Sequence, residues 1–357
     1  MEAAIFYGPN DIQIKDIDLR GKKSNDNCLL KVLSCSVCSY DVRTFRNGHF
    51  KVTPPMILGH EICAETVNEY QGKNFSIKPK TRVSVYPILP CFTCGYCNNR
   101  NYNLCINLKE LGSTMDGGFA EYLMIPKMIF DIGGAVPVLD NISNEEAALI
   151  EPLACCLNSI NQIKNLDFDS VIVLGDGPIG IMQLMLLKRF FKVNITMIGK
   201  IKHRLELAKK LGADMTILID DENNLEKYEK SIKNANNGFS PNIVFVSNNN
   251  PNSLNLALKL ANKNGKIVLF SGIKNENTKN ENTFSIDPNL IHYNQISISG
   301  SFSSTPNNMI EAMNLVNSKE IDMKNLVTHT FSLTKLREAL ITAESFKGFK
   351  SIINNFS

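Results

Sequence analysis

Two patterns of hydrophobic and polar positions follow one another along the chain and meet near residue 150. In the first part, short apolar segments are broken by turn signals such as Gly8-Pro9, Asn47-Gly48 and Pro54-Pro55. This pattern predicts a β-rich domain with many loops. In the second part, continuous apolar runs alternate with segments of helical period; the runs are VIVLG at 171–175, ITMIG at 195–199, NIVFVS at 242–247 and KIVLFSG at 266–272. Strands that are apolar throughout are covered on both faces, so this part predicts an α/β fold with a doubly wound parallel sheet.

The change of pattern also sets the predicted domain boundaries. We expect the β-rich domain over residues 1–153 with 291–357, and the parallel sheet in an inserted domain over 154–290. A chain of 357 residues is long enough to form two hydrophobic cores. The Asn-rich segment 274–282 is predicted to be an exposed loop.

Composition and charge exclude several classes of protein. Apolar residues make up 43% of the chain, charged residues 20%, and the net charge is +3. No block of like charges indicates a nucleic-acid-binding arm or a membrane-surface segment. The N-terminal segment lacks the basic end and apolar run of a signal peptide, and apolar stretches such as 181–187 are shorter than the roughly 20 residues that span a bilayer. We therefore expect a cytoplasmic protein without a nucleic-acid or membrane partner.

Four of the ten cysteines lie in one short segment with the spacing C-x2-C-x2-C-x7-C, namely Cys91, Cys94, Cys97 and Cys105. These short steps let the thiolates converge on one tetrahedral ion, and four sulfur ligands form a closed structural zinc site. An iron–sulfur cluster is the alternative, but Cys105 is not followed by proline and no second cluster motif is present. The scattered cysteines in apolar contexts are interpreted as buried small residues: Cys28, Cys35, Cys63, Cys155 and Cys156.

A glycine-rich turn follows the first run of the second part. The segment Gly175-Asp176-Gly177-Pro178-Ile179-Gly180 completes G-x-G-x-x-G between the strand VIVL and the apolar helix IMQLMLL. In such a turn the glycines allow a tight bend, close approach of a pyrophosphate and close packing of helix on strand. The phosphates then lie at the helix N-terminus, where free N–H groups favour an anion. The segment therefore predicts a Rossmann domain that binds a dinucleotide.

The residue at the end of the second strand bears on the choice between NAD and NADP. NAD enzymes usually place Asp or Glu there to hold the ribose hydroxyls, and this chain has Gly199. Lys200, Lys202 and Arg204 follow and form a basic group suited to a 2′-phosphate. The sequence favours NADP over NAD on this ground, although a solvent-exposed helix start is the alternative interpretation of the same residues.

Candidate ligands for a second, catalytic zinc are spread through the first part. A catalytic zinc takes about three protein ligands of mixed type and keeps one position open. Residues of suitable chemistry are Cys38, His60, Glu61 and Glu151. Taken singly, each of them is also consistent with a buried residue of the core.

Taken together in order, these segments resemble the zinc-dependent medium-chain dehydrogenases of the alcohol dehydrogenase superfamily. The matching motifs surround the four-cysteine segment; they are Cys38-Ser-Tyr-Asp41, Gly59-His60-Glu61, Asp116-Gly-Gly-Phe-Ala-Glu121-Tyr and Glu151-Pro-Leu-Ala154. The E-P-L-A motif and the stretch PILPCFTC are similar to the sorbitol, threonine and galactitol-1-phosphate dehydrogenase branch. The resemblance covers essentially the whole chain and implies that the β-rich catalytic domain is GroES-like.

The resemblance also implies a function and a ligand set. Cys38, His60 and Glu61 would bind the catalytic zinc, and Glu151 would be a further ligand or hold the water at the metal. With the structural zinc this makes two zinc ions per chain, in a homodimer or homotetramer that transfers a hydride between a small alcohol or polyol and NADP or NAD.

Departures from the family motif affect the proton route and the substrate preference. The usual C-G-[TS]-D is Cys38-Ser39-Tyr40-Asp41 here, so Tyr40 stands where a hydroxyl residue normally begins proton removal. A packed aromatic side chain is the alternative interpretation of Tyr40. Arg43 and Ala64 replace a family histidine and glycine. These changes do not threaten zinc binding itself.

Two other classes of function are alternatives to a zinc-dependent dehydrogenase. One is a quinone-reductase-like or regulatory member that uses no metal in chemistry, and the other is a binding or structural zinc protein without turnover. The cysteine segment and the Cys, His and Glu set argue against the first. The complete glycine-rich turn argues against the second, because a structural role needs no dinucleotide.

Overall fold

The computed structural model describes residues 1–18, 26–72, 76–219, 225–235, 240–273 and 286–356. The chain divides into two compact units, Met1–Ala154 with Ser303–Ser357 and Cys155–Phe302. The predicted loop at 274–282 lies outside the described residues. None of the helices in the described ranges combines the length and the apolar character that a bilayer crossing requires.

The first unit is rich in β-strands, numbered here in chain order. They are β1 (Glu2–Gly8), β2 (Asp11–Asp16), β3 (Asn27–Ser36), β4 (Met56–Ile57), β5 (Glu61–Thr66), β6 (Tyr70–Gln71), β7 (Ser76–Ile77), β8 (Arg82–Val85), β9 (Ile88–Leu89), β10 (Lys109–Glu110), β11 (Tyr122–Pro126), β12 (Ala135–Pro137), β19 (Val327–Ser332) and β20 (Lys350–Asn355). Its helices are α1 (Ser39–Asn47), α2 (Gly95–Asn98), α3 (Met128–Asp131), α4 (Asn144–Ala148), α11 (Pro306–Asn317) and α12 (Leu336–Glu344). Helix α5 (Ile150–Asn161) contains the boundary between the units.

A seven-stranded sheet forms the centre of this unit, in the order β12-β8-β5-β3-β20-β19 with β11 also paired to β3. A three-stranded sheet of order β2-β1-β4 accompanies it. The inward side chains of both sheets share one hydrophobic core, in which Phe6, Phe45, Ile62 and Phe119 are almost fully buried. Because β20 is close to the C-terminus and pairs with β3, the last residues of the chain complete this unit.

The second unit contains a six-stranded parallel sheet of order β15-β14-β13-β16-β17-β18. The strands are β13 (Ser170–Leu174), β14 (Asn194–Gly199), β15 (Met215–Leu218), β16 (Ile243–Val246), β17 (Lys266–Leu269) and β18 (Ser297–Gly300). The helices are α6 (Pro178–Phe190), α7 (Lys202–Lys210), α8 (Leu225–Ala235), α9 (Asn252–Leu260) and α10 (Pro288–Asn294). The central strands β13 and β16 are buried at every position, as a doubly wound sheet requires. The predicted fold class is confirmed.

The structure places the return of the chain to the first unit later than the sequence pattern does. The sequence analysis put it at residue 291, whereas the second unit extends to Phe302. The difference comes from β18, which pairs with β17 and so belongs to the parallel sheet. Most side chains of β18 are exposed because it is an edge strand, and its sequence SISG therefore lacks the apolar run by which the central strands were recognised.

Candidate active site and metal centres

Three of the predicted zinc ligands converge in the first unit. Cys38 directly precedes α1, and His60 and Glu61 stand at the start of β5. Strand β3 ends just before Cys38 and pairs with β5, so the two segments meet at one edge of the sheet. One ligand atom from each of Cys38, His60 and Glu61 lies within 4.8 Å of the other two. A thiolate, an imidazole and a carboxylate at this spacing are a donor set that fits a catalytic zinc.

A buried aspartate organises the two segments that carry these ligands. Asp41 accepts hydrogen bonds from the backbone N–H of Cys38 at 2.9 Å and of Gly59 at 3.2 Å. Its Oδ1 also lies 3.8 Å from Nδ1 of His60. A carboxylate beside a ligating histidine fixes the orientation of the ring. Asp41 therefore holds the Cys38 turn and the His60 ring in one geometry.

The structure adds Lys350 to this site. Its Nζ donates to both carboxylate oxygens of Glu61, at 2.7 and 2.5 Å, and to the carbonyl of Val37 at 3.2 Å. Both side chains of the pair are buried. Burial lowers the pKa of Lys350, but the charges of Glu61 and Cys38 outweigh burial and raise it. The carboxylate of Glu61 therefore contacts the ammonium of Lys350 and also belongs to the group of three ligand atoms.

Glu151 lies close to this group without belonging to it. It is buried near the start of α5 and is absent from the set of ligand atoms within 4.8 Å of one another. Burial lowers the pKa of His60, while Asp41, Cys38 and Glu151 together raise it well above its usual value. Glu151 thus lies near enough to His60 for its charge to contribute to the raised pKa of the imidazole.

Tyr40 lies beside the ligands and continues into a hydrogen-bonded chain. Its ring meets the ring of His60 edge to face, with centroids 5.7 Å apart. Its hydroxyl donates to Oγ of Ser113 at 2.9 Å and lies 3.2 Å from Nδ1 of His49. Burial raises the pKa of Tyr40, so the phenol is protonated at neutral pH. The sequence indicates no role for Ser113, whereas His49 is a candidate pocket residue whose orientation the structure supplies.

The four-cysteine segment forms a second candidate metal centre. The sulfur atoms of Cys91, Cys94, Cys97 and Cys105 lie within 4.8 Å of one another. Hydrogen bonds from Thr93 lower the pKa of Cys91 to about 5, whereas burial raises the pKa of Cys97 to about 12. Four sulfur donors in one group fit a closed zinc site.

The glycine-rich turn has the shape that a pyrophosphate requires. Helix α6 begins at Pro178, with Gly177 in the N-cap position and Ile179 in the first turn. A Cβ at Gly180 would lie 1.9 Å from the carbonyl oxygen of Gly175, so only glycine permits this close packing. A Cβ at Gly177 would meet nothing within 4 Å, which leaves the backbone open to a ligand. These features fit a dinucleotide at the N-terminus of α6.

The residues predicted to contact the ribose lie at the end of β14 and in the first turn of α7. Gly199 ends β14, and Lys200 after it is exposed. Arg204 on α7 is only 4% exposed, so its guanidinium does not belong to a solvent-exposed helix start. The carboxylate of Asp176 lies against Gly199 and accepts hydrogen bonds from the backbone N–H of Lys200 and Ile201.

Comparison with known proteins matches both parts of this fold. Residues 24–132 match the alcohol dehydrogenase GroES-like domain, and residues 178–318 match the zinc-binding dehydrogenase family. Among curated relatives, the D-arabitol-phosphate dehydrogenase of Enterococcus avium is 30% identical over 95% of this chain and 93% of its own length. The sorbitol dehydrogenase of Bacillus subtilis is 30% identical over 97% of this chain and 94% of its own length.

A solved structure extends the comparison to the whole fold. A zinc-binding dehydrogenase from Sinorhizobium meliloti 1021, bound to NADP, superposes with a TM-score of 0.86 over 99% of this chain and 98% of its own, at 24% identity. The chain therefore belongs to the zinc-binding alcohol dehydrogenase family, in the polyol branch of the medium-chain dehydrogenases. It is an oxidoreductase of the zinc-type alcohol and polyol dehydrogenase class, and zinc and a nicotinamide nucleotide are the cofactors of that class. The predicted family and enzyme class are confirmed.

Proposed function

We propose that this enzyme transfers a hydride between a polyol, free or phosphorylated, and a nicotinamide nucleotide, with Cys38, His60 and Glu61 holding a catalytic zinc. The convergence of these three ligand atoms within 4.8 Å carries the proposal. A zinc ion bound there supplies Lewis-acid polarisation of the substrate oxygen. D-arabitol phosphate and sorbitol, after which the two relatives are named, define the substrate class to be tested.

Side chains around the three ligands supply a route for the alcohol proton and set the net charge of the zinc site. Tyr40 relays the alcohol proton: its phenolic oxygen accepts that proton while its own O–H proton passes to Nδ1 of His49, which is partly exposed. Glu151 lies just outside the three ligands, so we assign it the role of an exchangeable ligand or of a group that holds water beside the metal. Lys350 limits the charge of Glu61 and so leaves the site less negative.

The remaining parts of the proposal concern metal content and assembly. Cys91, Cys94, Cys97 and Cys105 hold a second, structural zinc, which gives two zinc ions per chain. The unit Cys155–Phe302 binds the nucleotide at Gly175, Gly177 and Gly180 and at the end of β14, and the other unit holds the substrate. From the family resemblance we also expect a homodimer or homotetramer, which light scattering of the purified protein measures.

A substrate panel tests this function. Sorbitol, D-arabitol phosphate, galactitol 1-phosphate and L-threonine are assayed by absorbance of the reduced nucleotide, with NAD and NADP in parallel. We expect turnover of at least one polyol or polyol phosphate by the zinc-loaded enzyme, and none by His60→Ala. Zinc-loaded protein that binds nucleotide but turns over no member of the panel with either cofactor would contradict the proposal.

A further inference from the structure

We infer that Asp176 supplies the carboxylate that this chain lacks at the end of its second parallel strand, and that it selects NAD(H) over NADP(H). The inference rests on the proposed function, because it concerns the nucleotide of that reaction. It assigns a specificity-determining role to a residue inside the glycine-rich turn, at a position that the G-x-G-x-x-G pattern leaves free.

The end of β14 lacks the acidic residue that NAD-binding turns of this type usually have there. In a dinucleotide-binding turn of this type, a carboxylate about 20 residues past the glycines accepts hydrogen bonds from the ribose hydroxyls of NAD. The corresponding position, at the end of β14, is Gly199, which has no side chain. On sequence alone this substitution favours NADP, since nothing at position 199 repels a 2′-phosphate.

The side chain of Asp176 occupies the space beside Gly199. A Cβ built on Gly199 would lie 2.4 Å from Cβ, Cγ and Oδ2 of Asp176, so the aspartate fills the volume that a side chain at 199 would need. The two positions are therefore coupled: a carboxylate is present at this place, but it comes from the turn and not from the strand. Glycine at position 199 leaves the room that the side chain of Asp176 occupies.

Hydrogen bonds orient this carboxylate. Its Oδ2 accepts hydrogen bonds from the backbone N–H of Lys200 at 2.9 Å and of Ile201 at 2.7 Å, which anchors Asp176 to the segment after β14. Asp176 is 8% exposed, and we assign its other oxygen, Oδ1, as the acceptor for a ribose hydroxyl. Asp176 lies between Gly175 and Gly177 in the turn. Its hydrogen bonds to Lys200 and Ile201 therefore connect the pyrophosphate-binding turn to the end of β14.

The charges around Asp176 determine how the site would interact with a 2′-phosphate. An anion at Asp176 repels the doubly charged phosphate and accepts hydrogen bonds from a free diol, so it discriminates by both repulsion and attraction. Arg204, the predicted phosphate contact, is buried in α7, and its charge interacts with that of Asp176. Lys200 is exposed, and its backbone N–H donates to Asp176, so its ammonium and this carboxylate belong to the same strand end.

Binding of the reduced nucleotides to the zinc-loaded, full-length enzyme tests the inference without reliance on turnover. Titration calorimetry with NADH and NADPH should give a Kd at least about tenfold lower for NADH. Asp176→Asn keeps the size and removes the charge, so it should reduce the NADH-to-NADPH preference at least about fivefold, mainly by tightening NADPH. Asp169→Asn is the matched control. It removes one carboxylate just before β13, at the opposite end of that strand from the turn, and should leave the preference unchanged.

A carboxylate exchange separates this role from a merely structural one. The double variant Asp176→Gly with Gly199→Asp moves the acid to the end of the strand and should recover the NADH preference that Asp176→Gly alone loses. Gly199→Asp alone should destabilise the second unit or abolish binding of both nucleotides, because its side chain would collide with Asp176.

Two results would overturn the inference: wild-type protein that binds NADPH at least as tightly as NADH, or an Asp176→Asn variant whose preference stays within twofold of wild type. Both leave dehydrogenase activity in place and so leave the proposed function intact. Wild-type protein that binds neither nucleotide would instead contradict the proposed function itself.

Discussion

At the residue scale, the buried pair Glu61–Lys350 shows that a proposed zinc ligand can be hydrogen-bonded by a residue far away in the sequence. Cys38, His60 and Glu61 were assigned from the family motif, and the structure brings their ligand atoms together. Lys350 carries no local signal, because it is 289 positions from Glu61 in the chain and reaches it only through pairing of β20 with β3. A role for Asp176 in nucleotide selection could not be predicted for a different reason, because the G-x-G-x-x-G pattern accepts any residue at its position. Spacing reveals ligands within a motif but not their partners from other strands.

The first prediction concerns this pair. Lys350→Met keeps the volume of the side chain but leaves the carboxylate of Glu61 buried without its cation, so the metal-free protein should lose about 3–5 kcal/mol of unfolding free energy. Urea unfolding measures this loss. Lys335→Met is the control, because its pair with Glu338 is exposed and should contribute less than about 1 kcal/mol. Equal effects of the two substitutions would show that Lys350 does not neutralise Glu61.

The second prediction concerns Glu151. Glu151→Gln keeps the shape and removes the charge, so kcat should fall at least about tenfold and zinc retention should weaken, while nucleotide affinity changes little. Zinc content by elemental analysis and steady-state kinetics measure these effects. Glu145→Gln is the control, as it removes another acid at a helix start, in the first turn of α4. If Glu151→Gln behaves like this control, Glu151 serves only to stabilise the start of its helix.

At the scale of elements, the strength of the hydrophobic pattern decided which strands could be predicted. The four central strands of the parallel sheet were recognised because helices bury both faces and make them apolar throughout. The edge strand β18 has exposed positions and no continuous apolar run, so its sequence did not predict a strand. The edge strand β15 was not predicted either, although its sequence MTIL is largely apolar. The late return of the chain at Ser303 follows from the missed edge strand β18.

The third prediction concerns the element formed by the four cysteines. Between Cys91 and Cys105 the regular structure is one short helix and one 3-10 turn, so we expect the proposed zinc ion to supply much of the folding energy of this segment. Cys94→Ser should therefore lose one of two zinc ions together with thermal stability, as elemental analysis and the Tm report. Cys28→Ser, outside both metal centres, should retain two. A Cys94→Ser protein with two zinc ions and the wild-type Tm would contradict the assignment.

At the scale of the whole molecule, the residues proposed for zinc binding and those proposed for nucleotide binding lie in different units, each with its own core. Every residue proposed to hold or tune the catalytic zinc lies in the unit Met1–Ala154 with Ser303–Ser357, and every residue proposed to contact the nucleotide lies in Cys155–Phe302. The sequence allowed this division to be predicted because the hydrophobic pattern changes at the first boundary. The residues that tune each site could not be predicted, because they depend on pairing between distant segments.

The most direct test of the account is return of zinc to the metal-free enzyme while turnover of the polyol panel is followed. We predict that metal-free wild type is inactive, that activity rises with added zinc, and that His60→Ala stays inactive throughout although it still binds one zinc at the four cysteines. Full turnover by metal-free wild type, or wild-type turnover by zinc-loaded His60→Ala, would contradict a catalytic zinc at Cys38, His60 and Glu61.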